Sequence, residues 1–283
     1  MSNDLMKKVG DVGGAIVNQA CGAVDAVKNI EPMDVLNGAM KVPFVKIDRA
    51  KFLRKELIKY YPEDQVKLAI EKNPAYAGIE RWSVNKIAKS VIGYETKKVS
   101  AISVTAGIPG GAAMAATVPA DLTQYFGFIL RVMQKLAYLY GFDEFEFDEE
   151  HVSDETMDNV LVCLGVMFGV QGANVAIAKV ADAMAAKVAK DIMKKPLTKG
   201  VVYPIIKKIA TALGFKMTKQ VLADGATKVV PVLGGAASGA LTYATFKPSC
   251  HRLRKEFMTL NISDPKFYEN QKQQEVIEES EEE

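Results

Sequence analysis

Three polar side chains interrupt an otherwise apolar stretch of the chain and are its best candidates for chemistry. Asp121, Gln124 and Arg131 lie in the segment 119–140, whose remaining residues are mostly large and apolar. At about 100° per residue, a helix would place these three side chains and Lys135 within an arc of about 80°. Because an unpaired charge inside an apolar core is costly, each charge must find a partner. That partner is either another side chain of the protein or a ligand, such as a lipid head group, held between helices.

The histidines and cysteines give little support for nucleophilic catalysis or metal binding. The chain has two histidines and three cysteines, with no CxxC pair and no cluster of the two residue types. Cys250 and His251 are neighbours, but neighbouring side chains on a helix point about 100° apart. Cys163 lies in an apolar run and is expected to be a buried core residue. We therefore predict no catalytic thiol, no structural zinc and no disulfide, as is usual in the reducing cytoplasm.

The acidic segment 143–158 holds nine Asp and Glu and no Lys or Arg. Such oxygens can bind a hard cation, but the segment lacks the glycine and the alternating ligands of an EF-hand. A solvated acidic loop that leads to a helix capped by Ser153 is the favoured interpretation. The glycine-rich segments contain no nucleotide-binding motif, although phosphate binding at a helix start near Gly110 and Gly111 is an alternative to a tight turn there. The sequence thus predicts no metal and no cofactor.

Helical periodicity dominates the chain and predicts an all-α, multi-helix globular bundle. Convincing alternation of period two is lacking. Prolines delimit the helices, since a proline is tolerated in a first turn but not in a helix interior. The helix that starts at Pro119 is apolar on nearly all sides, which is typical of a central helix, and Gly141 is expected to end it. Helices are predicted at 4–29, 48–60, from Pro62 to about 74, at 80–95 and at 119–140.

Three long runs carry no charged residue: 99–120, 159–178 and 229–246. Their lengths approach the ~20 residues of a membrane span, but prolines, glycines and polar residues leave too few large aliphatic side chains. Buried core is the favoured interpretation, and partial insertion into a membrane is the alternative. Pairs of glycines four residues apart predict close packing of the central, Gly/Ala-rich helices. These pairs are Gly165 with Gly169 and Gly235 with Gly239.

Charge is unevenly distributed along the chain, although the net charge is only +2. Nine lysines and one aspartate occupy 187–219, while the tail 271–283 has six glutamates and one lysine. A basic helix face favours an anionic membrane surface, with a merely solvated face as the alternative. No nucleic acid partner is predicted, because these lysines are not interleaved with aromatic residues. The candidate membrane-facing residues are Lys187, Lys190, Lys194 and Lys195.

Two groups of motifs resemble those of the EcsC protein family. They are IPGG at 108–111, PAD at 119–121 and LYGFD at 139–143, and then VPVLGGA at 230–236 followed by SGA at 238–240. The resemblance implies an EcsC-like helical domain over 75–262, after an N-terminal helical region over 1–74. The acidic tail, 263–283, is predicted to be disordered. The family is named after a gene that lies beside an ABC-type transporter, and it implies a helical, membrane-associated protein rather than a particular reaction.

Three functional hypotheses follow from these patterns. The leading one is a non-enzymatic, membrane-associated or lipid-interacting protein, accessory to a transporter, in the cytoplasm at the inner face of the cell membrane. Its expected partner is an anionic membrane surface or a membrane protein, and no oligomeric state is predicted. The second hypothesis is an enzyme of unknown class with a polar pocket around Asp121 and Arg131. The third is a protein-interaction module whose acidic regions, 143–158 and 271–283, bind a basic partner.

Overall fold

The computed structural model describes residues 32–42, 44–106, 114–147, 152–190, 208–209, 211–212 and 231–282. Within these residues the chain forms nine α-helices and one short 3-10 helix, and the prediction of an all-α multi-helix fold is confirmed. The helices are α1 (Pro32–Met40), α2 (Arg49–Leu57), α3 (Glu63–Glu71), α4 (Arg81–Ala106), α5 (Met114–Leu139), α6 (Asp154–Met167), α7 (Ala173–Lys190), α8 (Pro231–Phe257), the 3-10 helix Asn261–Ser263 and α9 (Pro265–Glu282).

Several predicted features lie outside the described residues. They are the helix at 4–29, the IPGG segment at 108–111, His151 and most of the lysine-rich segment, including Lys194 and Lys195. The description also omits the side chains of Asp121 and Lys190, and the surroundings of Gly235 and Gly239 within α8.

Local capping signals place two helix starts where the sequence predicts them. Asp48 precedes α2, and its Oδ1 accepts a hydrogen bond from the Lys51 amide at 2.8 Å. This hydrogen bond lowers the pKa of the Asp48 carboxyl. Ser153 caps α6 in the same way, since its hydroxyl oxygen accepts from the Thr156 amide at 3.2 Å. Both oxygens satisfy amides that a helix start would otherwise leave unpaired.

α5 is the central helix of the described part, and it starts earlier than predicted. It begins at Met114, so Pro119 lies inside the helix rather than in its first turn. Pro119 has no amide hydrogen to donate to the carbonyl four residues earlier, yet the helix continues through it. Among residues 126–140, only Arg131 and Lys135 are not fully buried. This burial is what a helix with apolar residues on nearly all sides requires.

Gly141 ends α5 as predicted, and its conformation explains why a glycine stands there. Its φ is 102°, a left-handed conformation that side chains with a Cβ rarely adopt. The Phe142 amide then donates back to the Ala137 carbonyl at 3.0 Å, which pairs one of the last carbonyls of the helix. The chain thereby turns sharply from α5 into the acidic segment.

The charge-free run 159–178 is not a single helix. α6 ends at Met167 and α7 begins at Ala173, so the run folds as two helices joined by a turn. In the part of the chain that the structure describes, no helix is both long enough and apolar enough to cross a membrane.

Only one glycine of the first predicted pair packs a helix closely. A Cβ added to Gly165 would lie 3.0 Å from atoms of Ala173 and Ile209, so helix packing at this position requires a glycine. Gly169 lies beyond the end of α6, with a φ of 64° in the turn. The two glycines therefore do not share a helical face, because the second serves a left-handed turn instead.

The predicted disorder of 263–283 is wrong for most of this segment, since α9 occupies Pro265–Glu282. Tyr268 anchors α9, because its ring is buried and its hydroxyl accepts a hydrogen bond from Asn73 Nδ2 at 2.8 Å. The Tyr76 ring lies edge-on to the Tyr268 ring, with 5.5 Å between the ring centroids. The glutamates that suggested disorder are concentrated at the far end of the segment, whereas this aromatic anchor precedes them.

Candidate functional site

Of the polar stripe predicted on α5, the structure describes the side chains of Gln124 and Arg131 but not that of Asp121. Arg131 donates through Nη1 to the Phe44 carbonyl oxygen, and its guanidinium carbon lies 5.9 Å from the centre of the Phe44 ring. Gln124 is half-buried, and the side chain of Asp121 is outside the described residues. Arg131 therefore attaches the segment before α2 to α5, which is a structural contact.

Gln134, which flanks the stripe, makes a more complete contact with the same segment. Its side chain is fully buried, and Oε1 accepts a hydrogen bond from the Ile47 amide at 3.1 Å. Its Nε2 donates to the carbonyls of Val45 and Leu130, at 2.9 and 3.0 Å. The Ile47 amide and the Val45 carbonyl belong to the segment before α2, so Gln134 fixes that segment on α5.

A buried ion pair joins α4 to α5. Lys135 Nζ contacts Glu95 Oε1, and Glu95 is 0% exposed. The second carboxylate oxygen, Glu95 Oε2, has no hydrogen-bond partner among the described residues. Burial lowers the pKa of Lys135, and the contact with Glu95 opposes that shift. Because removal of one partner would leave the other charge buried and unpaired, this pair is a structural link between the two helices.

Two acids at the start of the acidic segment, Asp143 and Glu144, contact other parts of the folded chain. Asp143 Oδ2 pairs with Lys187 Nζ at 2.7 Å, and Glu144 Oε1 accepts from the Arg49 amide at 3.2 Å. Lys187, which was predicted to face a membrane, is therefore paired with Asp143 at a site where the two side chains are 32% and 31% exposed. The guanidinium of Arg49 is itself buried and donates to three backbone carbonyls, those of Phe142, Ile70 and Lys72.

A basic and aromatic surface covers the outer side of α4. Trp82 and Tyr94 expose 68% and 66% of their surface. Lys86, Lys89 and Lys97 are exposed beside them, and all five residues fall within an arc of about 140° on a helix. Trp82 and Tyr94 are the two most exposed rings among the described residues, and they lie about 18 Å apart along α4.

α8 extends this surface, because it packs along α4 in the most extensive helix contact of the described part. The two helices run antiparallel. Arg254 contacts Asn85, and His251, one turn earlier in α8, lies near enough to Lys89, one turn later in α4, for that charge to lower its pKa. The two helices therefore lie side by side, and we call their outer sides together the α4–α8 face.

Most of the charged residues on α4 and α8 are positive. Tyr243 on α8 is 45% exposed, and Lys247 Nζ donates to its hydroxyl at 2.6 Å. α4, residues 81–106, includes five Lys and Arg and one acid, the buried Glu95. α8, residues 231–257, includes four Lys and Arg and one acid, the half-buried Glu256. The face therefore combines exposed rings with a positive electrostatic potential.

The two thiols that the structure describes lie where they cannot serve as nucleophiles. Cys163 and Cys250 are both fully buried, and burial raises the pKa of each thiol. The prediction that Cys163 is a core residue is confirmed. A buried thiol remains protonated, and the thiolate is the reactive form. Within the described ranges, no group of three or more His, Cys, Asp or Glu is arranged to hold a metal ion.

The sequence contained the signal for the α4–α8 face, although its residues were not predicted as a site. Trp82, Lys86, Lys89 and Lys97 recur at helical spacing, and the one acid between 81 and 106 is Glu95. Helical spacing alone does not show which side of α4 faces solvent, because that depends on which helices pack against it. The lysines of this helix, unlike those of 187–219, do alternate with aromatic residues.

Comparison with protein-family models, with curated proteins and with solved structures returned no match for this chain. The resemblance to the EcsC family therefore stays a prediction from the motifs, and the functional argument rests on the geometry of the α4–α8 face.

Proposed function

We propose that this protein is a non-enzymatic peripheral membrane protein that binds anionic lipid through the α4–α8 face. One observation carries the proposal: Trp82, Tyr94 and Tyr243 are exposed on two helices that hold nine Lys and Arg against two acids, the buried Glu95 and the half-buried Glu256. Trp and Tyr rings favour the boundary between water and lipid, and lysines are attracted to anionic lipid surfaces. The face offers both contributions on two adjacent helices.

The expected strength of this binding depends on charge and on salt. Each Lys or Arg close to an anionic leaflet contributes about 1 kcal/mol. Lys86, Lys89 and Lys97 lie on one side of α4, so a flat partner can meet all three at once. Screening acts over about 8 Å at physiological ionic strength, so the binding should weaken steadily as salt is added.

The resemblance to the EcsC family supports the same proposal. An accessory role for a transporter, and a position at the inner face of the cell membrane, are parts of the proposal that rest on this resemblance alone. The other hypotheses gain no support of their own. Arg131, the charge expected in an enzyme pocket, is bonded to the Phe44 carbonyl. Asp143 and Glu144, expected to bind a basic partner, are engaged within the fold.

Co-sedimentation of the full-length chain with vesicles tests the proposal. Vesicles of phosphatidylcholine with phosphatidylserine should carry the protein into the pellet, vesicles of phosphatidylcholine alone should not, and added chloride should release it. Absence of binding to the anionic vesicles even at low salt would contradict the proposal. A single-stranded polynucleotide serves as the second partner, since basic surfaces with exposed rings also stack bases. Binding to the polynucleotide without binding to vesicles would overturn the lipid proposal in favour of nucleic acid.

A further inference from the structure

A buried arginine without a carboxylate partner lies between α4 and α8. Arg254 is 7% exposed. Its Nε donates to His251 Nδ1 at 3.3 Å, and its Nη1 contacts Asn85 Oδ1 and Met258 Sδ. None of these partners carries a negative charge, and no ion pair involves Arg254 among the described residues. A buried charge left unpaired in this way is costly unless something else compensates it.

A buried hydroxyl lies beside this guanidinium. The Tyr140 oxygen is within hydrogen-bonding range of Arg254, which can only donate, so the Tyr140 O–H has no acceptor among the described residues. Burial raises the pKa of Tyr140, and the nearby Arg254 guanidinium opposes that rise, so the hydroxyl keeps its proton and can donate. Buried polar atoms are nearly always hydrogen-bonded in native proteins, so an orphan next to an unpaired charge calls for an acceptor.

The charges with the largest effect on His251 all have the same sign. Burial is the largest cause that lowers the pKa of His251, followed by Arg254, Lys247, Lys255 and Lys89. An anion bound beside them would accept a hydrogen bond from the Tyr140 O–H and offset this positive charge.

We propose that the cluster of Arg254, Tyr140, Asn85 and His251 is a binding site for a phosphate-type oxyanion. The planar guanidinium has five N–H donors, and Nη2 makes no hydrogen bond among the described residues, so Arg254 has donors to spare. The Tyr140 hydroxyl supplies a further donor, and Lys89 and Lys255 add attraction at the solvent side. The oxyanion is either a free phosphate monoester or the phosphate of a lipid head group. Binding of free phosphate does not require that the α4–α8 face binds a membrane, so the two proposals can fail separately.

The ring signals of His251 provide the test, because the chain has only two histidines. The full-length protein is held in chloride at constant ionic strength, and inorganic phosphate is added while the histidine ring resonances are followed by NMR. We expect a saturable shift of the His251 resonances and a rise in the His251 pKa, since a bound anion offsets the surrounding positive charge. Resonances of His151, assigned with His151→Gln, provide the internal reference. Unmoved His251 resonances, or a shift that only parallels His151, would overturn the proposal.

Two variants assign the site to its residues. Tyr140→Phe keeps the ring and should weaken phosphate binding about tenfold or more, the loss expected for one hydrogen bond to a charged group. Arg254→Gln should abolish saturation, and Arg54→Gln on α2, which removes the same charge elsewhere, should leave it unchanged. If Arg254→Gln fails to fold, Tyr140→Phe carries the test alone. Full affinity for phosphate in Tyr140→Phe would overturn the site as described.

Vesicles of phosphatidic acid distinguish the two sources of the phosphate. In one outcome, inorganic phosphate shifts the His251 resonances to saturation and displaces the protein from these vesicles more than chloride of equal ionic strength does. This outcome assigns the site to lipid head groups. Saturation of His251 without displacement assigns it to a free phosphate monoester. Both outcomes support the oxyanion site, and only an absence of saturation rejects it.

Discussion

Neutralising three lysines on the outer side of α4 tests whether the α4–α8 face binds lipid by position or by total charge. In the variant, Lys86, Lys89 and Lys97 are all replaced by Gln. All three side chains are exposed, so the fold and its stability should be unaffected. Each lysine near an anionic leaflet contributes about 1 kcal/mol to the binding free energy. The variant should therefore lose about 3 kcal/mol of binding free energy, which lowers the vesicle partition constant roughly 100-fold at low salt.

The control removes the same three charges from other elements, with Lys41, Lys55 and Lys67 replaced by Gln. These lysines are also exposed, and they lie on the segment after α1, on α2 and on α3. The assay is titration with vesicles of phosphatidylcholine and phosphatidylserine, repeated as chloride is raised. We expect the control to bind almost as the parent does, and the α4 variant to lose most of its salt dependence. An equal loss in both variants would show that net charge, rather than the α4–α8 face, governs binding and would refute the reasoning.

Three further substitutions test the packing around α4 and α5, each by denaturant unfolding. Gly141→Ala should lower the free energy of unfolding by about 1–3 kcal/mol. The φ of Gly141 is 102°, and an added Cβ would lie 2.9 Å from the Ile262 carbonyl oxygen. Unchanged stability would contradict that close approach. Gly93→Ala should stabilise the protein by about 0.5–1 kcal/mol, because an added Cβ meets nothing within 4 Å; a destabilised variant would argue against this open position. Gln134→Leu should lower the free energy of unfolding by about 1–3 kcal/mol, because it leaves buried backbone groups before α2 without hydrogen-bond partners. The control, Gln273→Leu at an exposed position, should change stability little. Equal effects of the two substitutions would reject the role of Gln134.

Local signals and the amphipathic pattern predicted the helices α2 to α6 and the all-α class. The caps at Asp48 and Ser153 and the stop at Gly141 depend on groups only a few residues apart, so the sequence specifies them directly. The central place of α5 followed from its nearly continuous apolar surface, which leaves no side to face water. Such features can be deduced without knowing which helices are neighbours.

Contacts between residues distant in the chain could not be predicted in the same way. Lys135 pairs with Glu95 and Lys187 with Asp143, and neither pairing follows from periodicity within one helix. The disorder predicted for 263–283 was wrong because composition averaged over the segment concealed a single buried anchor, Tyr268. The polar residues of α5 were assigned to a ligand or a partner, and the folded chain supplied the partner for Arg131 from the segment before α2.

Trp82 allows the most direct test of the proposed membrane contact, because it is the chain's only tryptophan and it lies on the α4–α8 face. The measurement is the emission spectrum of the full-length protein as vesicles of phosphatidylcholine and phosphatidylserine are added, with phosphatidylcholine vesicles as the control. We predict a shift of Trp82 emission to shorter wavelength and protection from an aqueous quencher with the anionic vesicles, both reversed by salt. An unchanged spectrum under conditions in which the protein sediments with those vesicles would contradict the α4–α8 face as the surface that meets lipid.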